Sequence, residues 1–270
     1  MLGDSLTQTC FEGWGAALAN RYQRRADIVN RGMSGYNTRW YLRYAQDECI
    51  FSDDTNHPVD KDVVLVTIFF GANDAALKDL DGKHVPVPEY KNHMKAMIAK
   101  TQQSYPGAKI LLIAPPPVHK GQRLDFQKQR YKDKATGIPE RTFEHTQHYA
   151  NACVEVGEEE KIACLDMFDA MVEAGGEDEG FGKFLSDGLH FSKMGHEFVA
   201  EQVFQAIQID FPELAVAPCP VTGQPNNSGS KCEGLESSGP YHDEINFKEW
   251  EKAFDKRKID NGSKKRKASS

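Results

Sequence analysis

Residues 62–70, DVVLVTIFF, constrain the fold more than any other stretch: they are almost wholly apolar, rich in β-branched side chains, and stop at Gly71. A strand with one face in water alternates apolar and polar residues, whereas a strand covered on both faces does not. This run therefore reads as an interior strand of a parallel sheet with helices on either side. Residues 108–114 repeat the pattern and end in Pro115, Pro116 and Pro117; residues 162–167 repeat it again, and residues 26–30 form a shorter version. Between these runs lie helical periodicities. Trp14, Leu18 and Tyr22 recur every four residues, and Tyr90, Met94, Met97, Ile98 and Thr101 follow Pro88. A third stretch, from about Phe143 to Glu160, buries Ala150, Cys153 and Val154; a fourth opens at Ser192, a suitable N-cap, and aligns Val199, Val203, Ala206 and Ile207. Strands alternating with helices predict an α/β protein: a three-layer α/β/α sandwich around a parallel sheet, formed as a single domain over residues 1–211.

The remaining segments have separate readings. Residues 115–141 are rich in Lys, Arg, Gln and Pro and follow a strand end, where α/β folds place ligand loops, so they are expected as a loop rimming a pocket. Residues 212–240 carry many Pro, Gly, Ser and Asn residues and read as a linker; Phe247, Trp250 and Phe254 in residues 241–255 would form one helix face docked on the body. Residues 256–270 hold seven Lys/Arg and one acid, leaving 26 basic against 39 acidic side chains elsewhere. So acidic a body does not suit a nucleic-acid binder. The cluster Lys264, Lys265, Arg266 and Lys267 reads as a solvated tail, with a nuclear-import patch as the other reading.

Six cysteines, at 10, 49, 153, 164, 219 and 232, form no C-x-x-C pair, and reduced thiols without a metal or other cofactor are expected. No stretch approaches the roughly 18 apolar residues of a membrane span, and the opening Met1-Leu2-Gly3-Asp4-Ser5 is not a secretory signal. The cytoplasm is the expected location, and a homo-oligomer is compatible with everything above.

Four short blocks carry chemistry. Gly3-Asp4-Ser5-Leu6, followed by Gly13-Trp14-Gly15, is a strand-to-helix turn in miniature that would aim the Ser5 oxygen at the carboxyl edge of the sheet. Asn73, in Gly71-Ala72-Asn73-Asp74, follows the 62–70 strand onto the same edge, where it could cap a helix or donate to an oxyanion. Asp187-Gly188-Leu189-His190 sets a carboxylate three residues from an imidazole, a spacing that suits fixing the ring's tautomer. Gly35, in the loop after residues 26–30, lacks a Cβ and could offer its N–H to a site; alone, it is a loop glycine.

In this order and at these strand ends, the blocks resemble the SGNH hydrolases of the GDSL esterase/lipase superfamily, and most of all the isoamyl acetate-hydrolysing esterases. The likeness covers about residues 3–210 and extends through NRGMSGYNTR at 30–39, TIFFGANDAAL at 67–77 and LSDGLH at 185–190. It implies a flavodoxin-like sandwich, with Ser5 as nucleophile and Asp187 and His190 completing a triad. It implies also an oxyanion hole from the Ser5 and Gly35 N–H groups and Asn73, and a small-molecule ester as substrate. The family pattern places an apolar interior strand before the G-D-S block, and here only Met1 and Leu2 precede it. The first strand is therefore expected to be largely missing, and an upstream extension of about six to ten apolar residues to gain stability and rate. Two readings follow: a serine esterase acting on small acyl esters through an acyl-enzyme, or a catalytically impaired relative serving as a binding or scaffold module.

Overall fold

The computed structural model describes residues 1–47, 50, 51, 62–177, 179–216 and 235. Two compact units are distinguished: Met1–Leu18 with Ile28–Phe211, and Ala19–Asp27 with the residues from Pro212 on. The expected docked segment at 241–255, the basic tail at 256–270, most of the 212–240 linker, and Cys49, Cys219 and Cys232 lie outside the described residues.

Among the described residues, the first unit holds a parallel sheet of β1 (Leu2–Gly3), β2 (Arg31–Gly32), β3 (Leu65–Phe69), β4 (Lys109–Ile113) and β5 (Ala163–Leu165) in the order β2-β1-β3-β4-β5. The helices are α1 (Ser5–Gln8), α2 (Trp14–Arg21), α3 (Thr38–Asp47), α4 (Val87–Ser104), α5 (Lys120–Tyr131), α6 (Phe143–Glu160), α7 (Met167–Gly175) and α8 (Lys193–Asp210). The two faces of β3 divide the core, because successive strand side chains point to opposite sides. Val66 and Ile68, with Phe70 just beyond, belong to a cluster with Tyr41 and Ala45 of α3, Tyr90, Met94 and Met97 of α4, and Tyr149 and Cys153 of α6. Phe69 turns the other way and meets Trp14 of α2 and Phe191, which lies just before α8. This is the α/β/α sandwich expected from the unbroken apolar runs.

Two expectations are corrected. The extended segment at 26–30 is not in the sheet: the register Leu2↔Arg31 and Gly3↔Gly32 puts the paired residues immediately after it. Residues 115–141 are not a plain loop, since α5 occupies their middle. Its sequence, KGQRLDFQKQRY, contains no β-branched residue, and His119 caps it by accepting the Gln122 N–H at 3.2 Å. Its few apolar positions hide a helix that a hydrophobic pattern would reveal. The Ser192 cap is as expected, its hydroxyl accepting the Gly195 N–H at 3.1 Å.

In the second unit, the Tyr22 hydroxyl donates to Leu214 O at 3.0 Å, and Arg25 Nε to Leu235 O at 3.2 Å.

Buried Asp74 ties two strand-end loops of the first unit together. Its Oδ1 accepts the Thr38 N–H at 3.0 Å and the Thr38 hydroxyl at 2.5 Å, fixing the start of α3 to the segment after β3. Burial outweighs those hydrogen bonds and lifts the carboxyl from its ordinary 3.8 to about 7. The folded protein thus holds this proton more tightly than the unfolded chain does, so the stability it contributes is complete below pH 4 and is lost as pH rises towards 7. Asp74→Asn removes that dependence. Between pH 4 and 7.5, the stability of the variant relative to wild type should rise by at least about 1.4 kcal/mol, the equivalent of one pKa unit, as read by denaturant melts at each pH. A constant difference would show that Asp74 does not titrate in this range.

Candidate active site

The four blocks converge on the carboxyl edge of the sheet. Ser5 lies two residues beyond β1, at the first position of α1, whose N-cap is Asp4: the Asp4 carboxylate accepts the Leu6 N–H at 2.9 Å. A loop closed on itself brings in the carboxylate and the imidazole. Leu185 and Phe191 form an antiparallel bridge, the Ser186 N–H donates to His190 O at 2.8 Å, and Asp187 Oδ1 accepts the N–H groups of Leu189 and His190 at 3.0 and 2.8 Å. Gly188, at φ +81°, permits the turn; a Cβ there would stand 2.5 Å from His119 O and 2.7 Å from Arg123 N at the start of α5.

The resulting contacts run in one chain. Ser5 Oγ lies 3.0 Å from His190 Nε2, and His190 Nδ1 lies 2.9 Å from Asp187 Oδ2. Burial pushes the Asp187 carboxyl up, but the hydrogen bonds of the His190 ring and N–H and the charges of His190 and Arg123 prevail and hold it well below the usual carboxylate range. An ionised carboxylate only accepts hydrogen bonds, so Nδ1 of the neutral ring carries the proton and Nε2 is left to accept from the serine hydroxyl. This is the geometry in which an imidazole can take a hydroxyl proton while a carboxylate steadies the charge that forms.

Donors face the same space. Gly35 sits in a turn at φ +79°, and its N–H has no hydrogen-bond partner among the described residues. Asn73 is buried; its Nδ2 donates to Tyr36 O at 3.0 Å and to Asp4 Oδ2 at 3.3 Å, while its Oδ1 accepts from Arg141 Nη2 at 3.0 Å. Burial raises the Asp4 carboxyl to about 6, against the pull of the Leu6 N–H, His190, Arg141 and Asn73.

Ser5, Gly35, Asn73 and His190 line a cavity of about 740 Å³. One wall is a face of α5 on which Arg123, Phe126, Gln127, Arg130 and Tyr131 recur at helical spacing. Leu80, Tyr131 and Ile138 line the same cavity while keeping about half their surface exposed. The 115–141 segment thus rims the pocket as expected, though as a helix. Among the described residues no group of three His, Cys, Asp or Glu side chains could hold a metal ion, and no helix is long and apolar enough to cross a membrane.

The structure therefore brings together Ser5, Gly35, Asn73, Asp187 and His190. It adds Asp4, Arg123, Glu140 and Arg141, which the sequence reading did not single out. Asp4 adjoins Ser5 and had a visible signal in the G-D-S block. Arg123, Glu140 and Arg141 had none, being three charges in a segment full of charges.

The sequence pattern of the GDSL-like Lipase/Acylhydrolase family matches residues 1–198. A GDSL esterase/lipase of Arabidopsis thaliana is 37% identical over 95% of this chain and 97% of its own length. The isoamyl acetate-hydrolyzing esterase 1 homolog of Homo sapiens is 35% identical over 77% of this chain and 80% of its own length. Among solved structures, the lipase/acylhydrolase from Enterococcus faecalis superposes with a TM-score of 0.55 at 24% identity, covering 77% of this chain and 94% of that one, a likeness of fold. With a family match over most of its length and relatives above 30% identity on both measures of coverage, this chain belongs to the GDSL esterase/acylhydrolase family, with isoamyl acetate-hydrolysing esterases among its homologues.

Proposed function

We propose that residues 1–211 form the catalytic domain of a serine esterase that cleaves small acyl esters through an acyl-enzyme, with Ser5 as nucleophile. The observation that carries this reading is the unbroken chain Ser5 Oγ to His190 Nε2 at 3.0 Å and His190 Nδ1 to Asp187 Oδ2 at 2.9 Å. Both contacts fall within the reach that proton transfer needs. Ser5 Oγ adds to the ester carbonyl as its proton passes to His190 Nε2, and Asp187 stabilises the imidazolium. The carbonyl oxygen becomes an oxyanion facing the Ser5 and Gly35 N–H groups and Asn73 Nδ2. Collapse breaks the bond to the alkoxy oxygen, which leaves as the alcohol with the proton from His190. Water then adds to the acyl-Ser5 by the same route, giving the acid and free Ser5. Both Asn73 donor hydrogens already have acceptors, so an oxyanion would share or exchange one of them. The 3.3 Å contact to Asp4 is the weaker, and its replacement costs less.

Hydrolysis of 4-nitrophenyl acetate or butyrate by the folded protein tests this reading. Ser5→Ala is expected to lower kcat by at least about 10³-fold. Asn73→Ala should lower it by about 10²-fold to 10³-fold, since one oxyanion donor is lost while the hydroxyl, imidazole and carboxylate remain. Equal rates for Ser5→Ala and wild type would overturn the assignment.

The walls bear on the substrate. Phe126, Leu80, Tyr131 and Ile138 offer apolar contact, and Arg123, Gln127, Arg130 and Glu140 line the same cavity, so its described lining is mixed and better suited to a short acyl chain than to a long one. Each buried methylene adds about 0.8 kcal/mol while the pocket still accepts it. Across a series of nitrophenyl esters, kcat/KM should therefore climb over the first few carbons and then fall. A maximum at twelve carbons or longer would contradict a short-chain preference.

A further inference from the structure

We infer that Arg141 is a positioning residue for ester hydrolysis: it fixes which end of the Asn73 amide faces the substrate and, through Glu140 and Arg123, ties that amide to Asp187. The inference rests on the reading of Asn73 as an oxyanion donor and extends it to a residue that does not touch the ester. An amide side chain has nearly the same shape in either of its two flipped orientations, yet only one presents donors to a given side. A guanidinium is a donor only. With Arg141 Nη2 at 3.0 Å from Oδ1, the flipped amide would set two donors face to face. Tyr36 O and Asp4 Oδ2 favour the same orientation from the other side, since both are acceptors of Nδ2. The positive charge behind Oδ1 also polarises the amide, strengthening Nδ2 as a donor where negative charge develops.

Arg141 is in turn held rigidly. Only 3% of it is exposed, and its guanidinium reaches Ala72 O at 2.6 Å, Glu140 Oε1 at 3.2 Å and Asp81 Oδ2 at 3.4 Å besides Asn73. A buried cation is tolerated only when it is paired and hydrogen-bonded, and acceptors surround this one. Glu140 Oε1 is shared with Arg123 Nη2, and Arg123 Nη1 lies 3.1 Å from Asp187 Oδ2, the oxygen that faces His190. Asn73, Arg141, Glu140, Arg123 and Asp187 therefore form one polar chain from the oxyanion side of the site to the carboxylate side. Arg123 is also buried, so the clasp lies largely out of water, where its bonds are strong and its geometry narrow.

A clamp that merely stabilised the fold would affect kcat through Tm or not at all, and a double-mutant cycle separates the cases. Kinetics on a short-chain nitrophenyl ester are measured for wild type, Asn73→Ala, Arg141→Ala, Arg141→Lys and the pair Asn73→Ala with Arg141→Ala, after thermal melts establish which are folded. Arg141→Ala is expected to lower kcat about 10-fold to 100-fold with KM changed less than about threefold. Arg141→Lys keeps the charge but not the forked donors, and should recover part of the loss. The double variant should lie within about threefold of Asn73→Ala alone, because Arg141 has nothing left to position. Methylguanidinium at about 10 mM should raise kcat of Arg141→Ala and leave Asn73→Ala unchanged. If Arg141→Ala does not fold, Arg141→Lys alone and combined with Asn73→Ala completes the cycle. Losses that multiply, or full activity of the Arg141 variants beside an impaired Asn73→Ala, would overturn the inference and leave the esterase reading intact. Full activity of Asn73→Ala would remove the oxyanion role of Asn73 and this inference with it.

Discussion

The site depends on the parallel pairing of Leu2 and Gly3 with β2 on one side and β3 on the other. Strands that run the same way deliver their following residues to one edge, and the three at this end of the sheet each deliver one of the proposed site residues. Ser5 comes two residues after β1, Gly35 three after β2, and Asn73 four after β3. A close fit holds the pairing. A Cβ on Gly3 would stand 2.0 Å from Thr7 Oγ1 and 2.8 Å from Phe69 O, and one on Gly32 would stand 2.2 Å from Gln8 N. The first helical turn of α1 therefore lies directly against Gly3 of β1 and Gly32 of β2, while Gly3 also lies close against β3, and larger residues at either glycine would push the Ser5 backbone away from its partners. Asp187 and His190 arrive differently, from a short loop that closes on itself just before α8 and is pinned from behind by the start of α5.

Charge is arranged around this edge so that each of the two buried guanidinium groups lies between carboxylates. Arg123 lies between Asp187 and Glu140, and Arg141 between Glu140 and Asp81. Removing one member would strand its neighbours out of water, a larger penalty than the bond itself is worth. Asp4 and Asp74 lack a full ion pair of this kind, and burial raises both of their pKa values. Polar connection as well as apolar packing holds the region together, as suits a site whose atoms must be held to a fraction of an ångström.

How much of this was legible follows from what each element requires. β3 and β4 are covered on both faces, so their sequences are continuous apolar runs that stand out, and α4, α6 and α8 each bury one regular stripe. α5 buries only Arg123 and Gln127, which no hydrophobic pattern reports. The short ladder at Arg31–Gly32 is determined by its partner in β1, so its own residues could not set its bounds. Ser5, Gly35, Asn73, Asp187 and His190 were visible because each sits in a compact block at a strand end or helix start. Arg123, Glu140 and Arg141 were not, because their importance comes from meeting across 18 residues of chain and from burial, which charge alone does not reveal. Arg141 reaches Asn73 across 68 positions of sequence.

Covalent capture tests the central claim, that Ser5 is the nucleophile, most directly. The protein is treated with a fluorophosphonate while esterase activity is followed, and the modified residue is located by peptide mass spectrometry in wild type and in His190→Ala. The account predicts one phosphonyl group on Ser5, activity lost in step with labelling, and labelling slowed by at least about 10³-fold in His190→Ala, where nothing accepts the hydroxyl proton. Modification at another residue, or undiminished hydrolysis with Ser5 fully occupied, would contradict it.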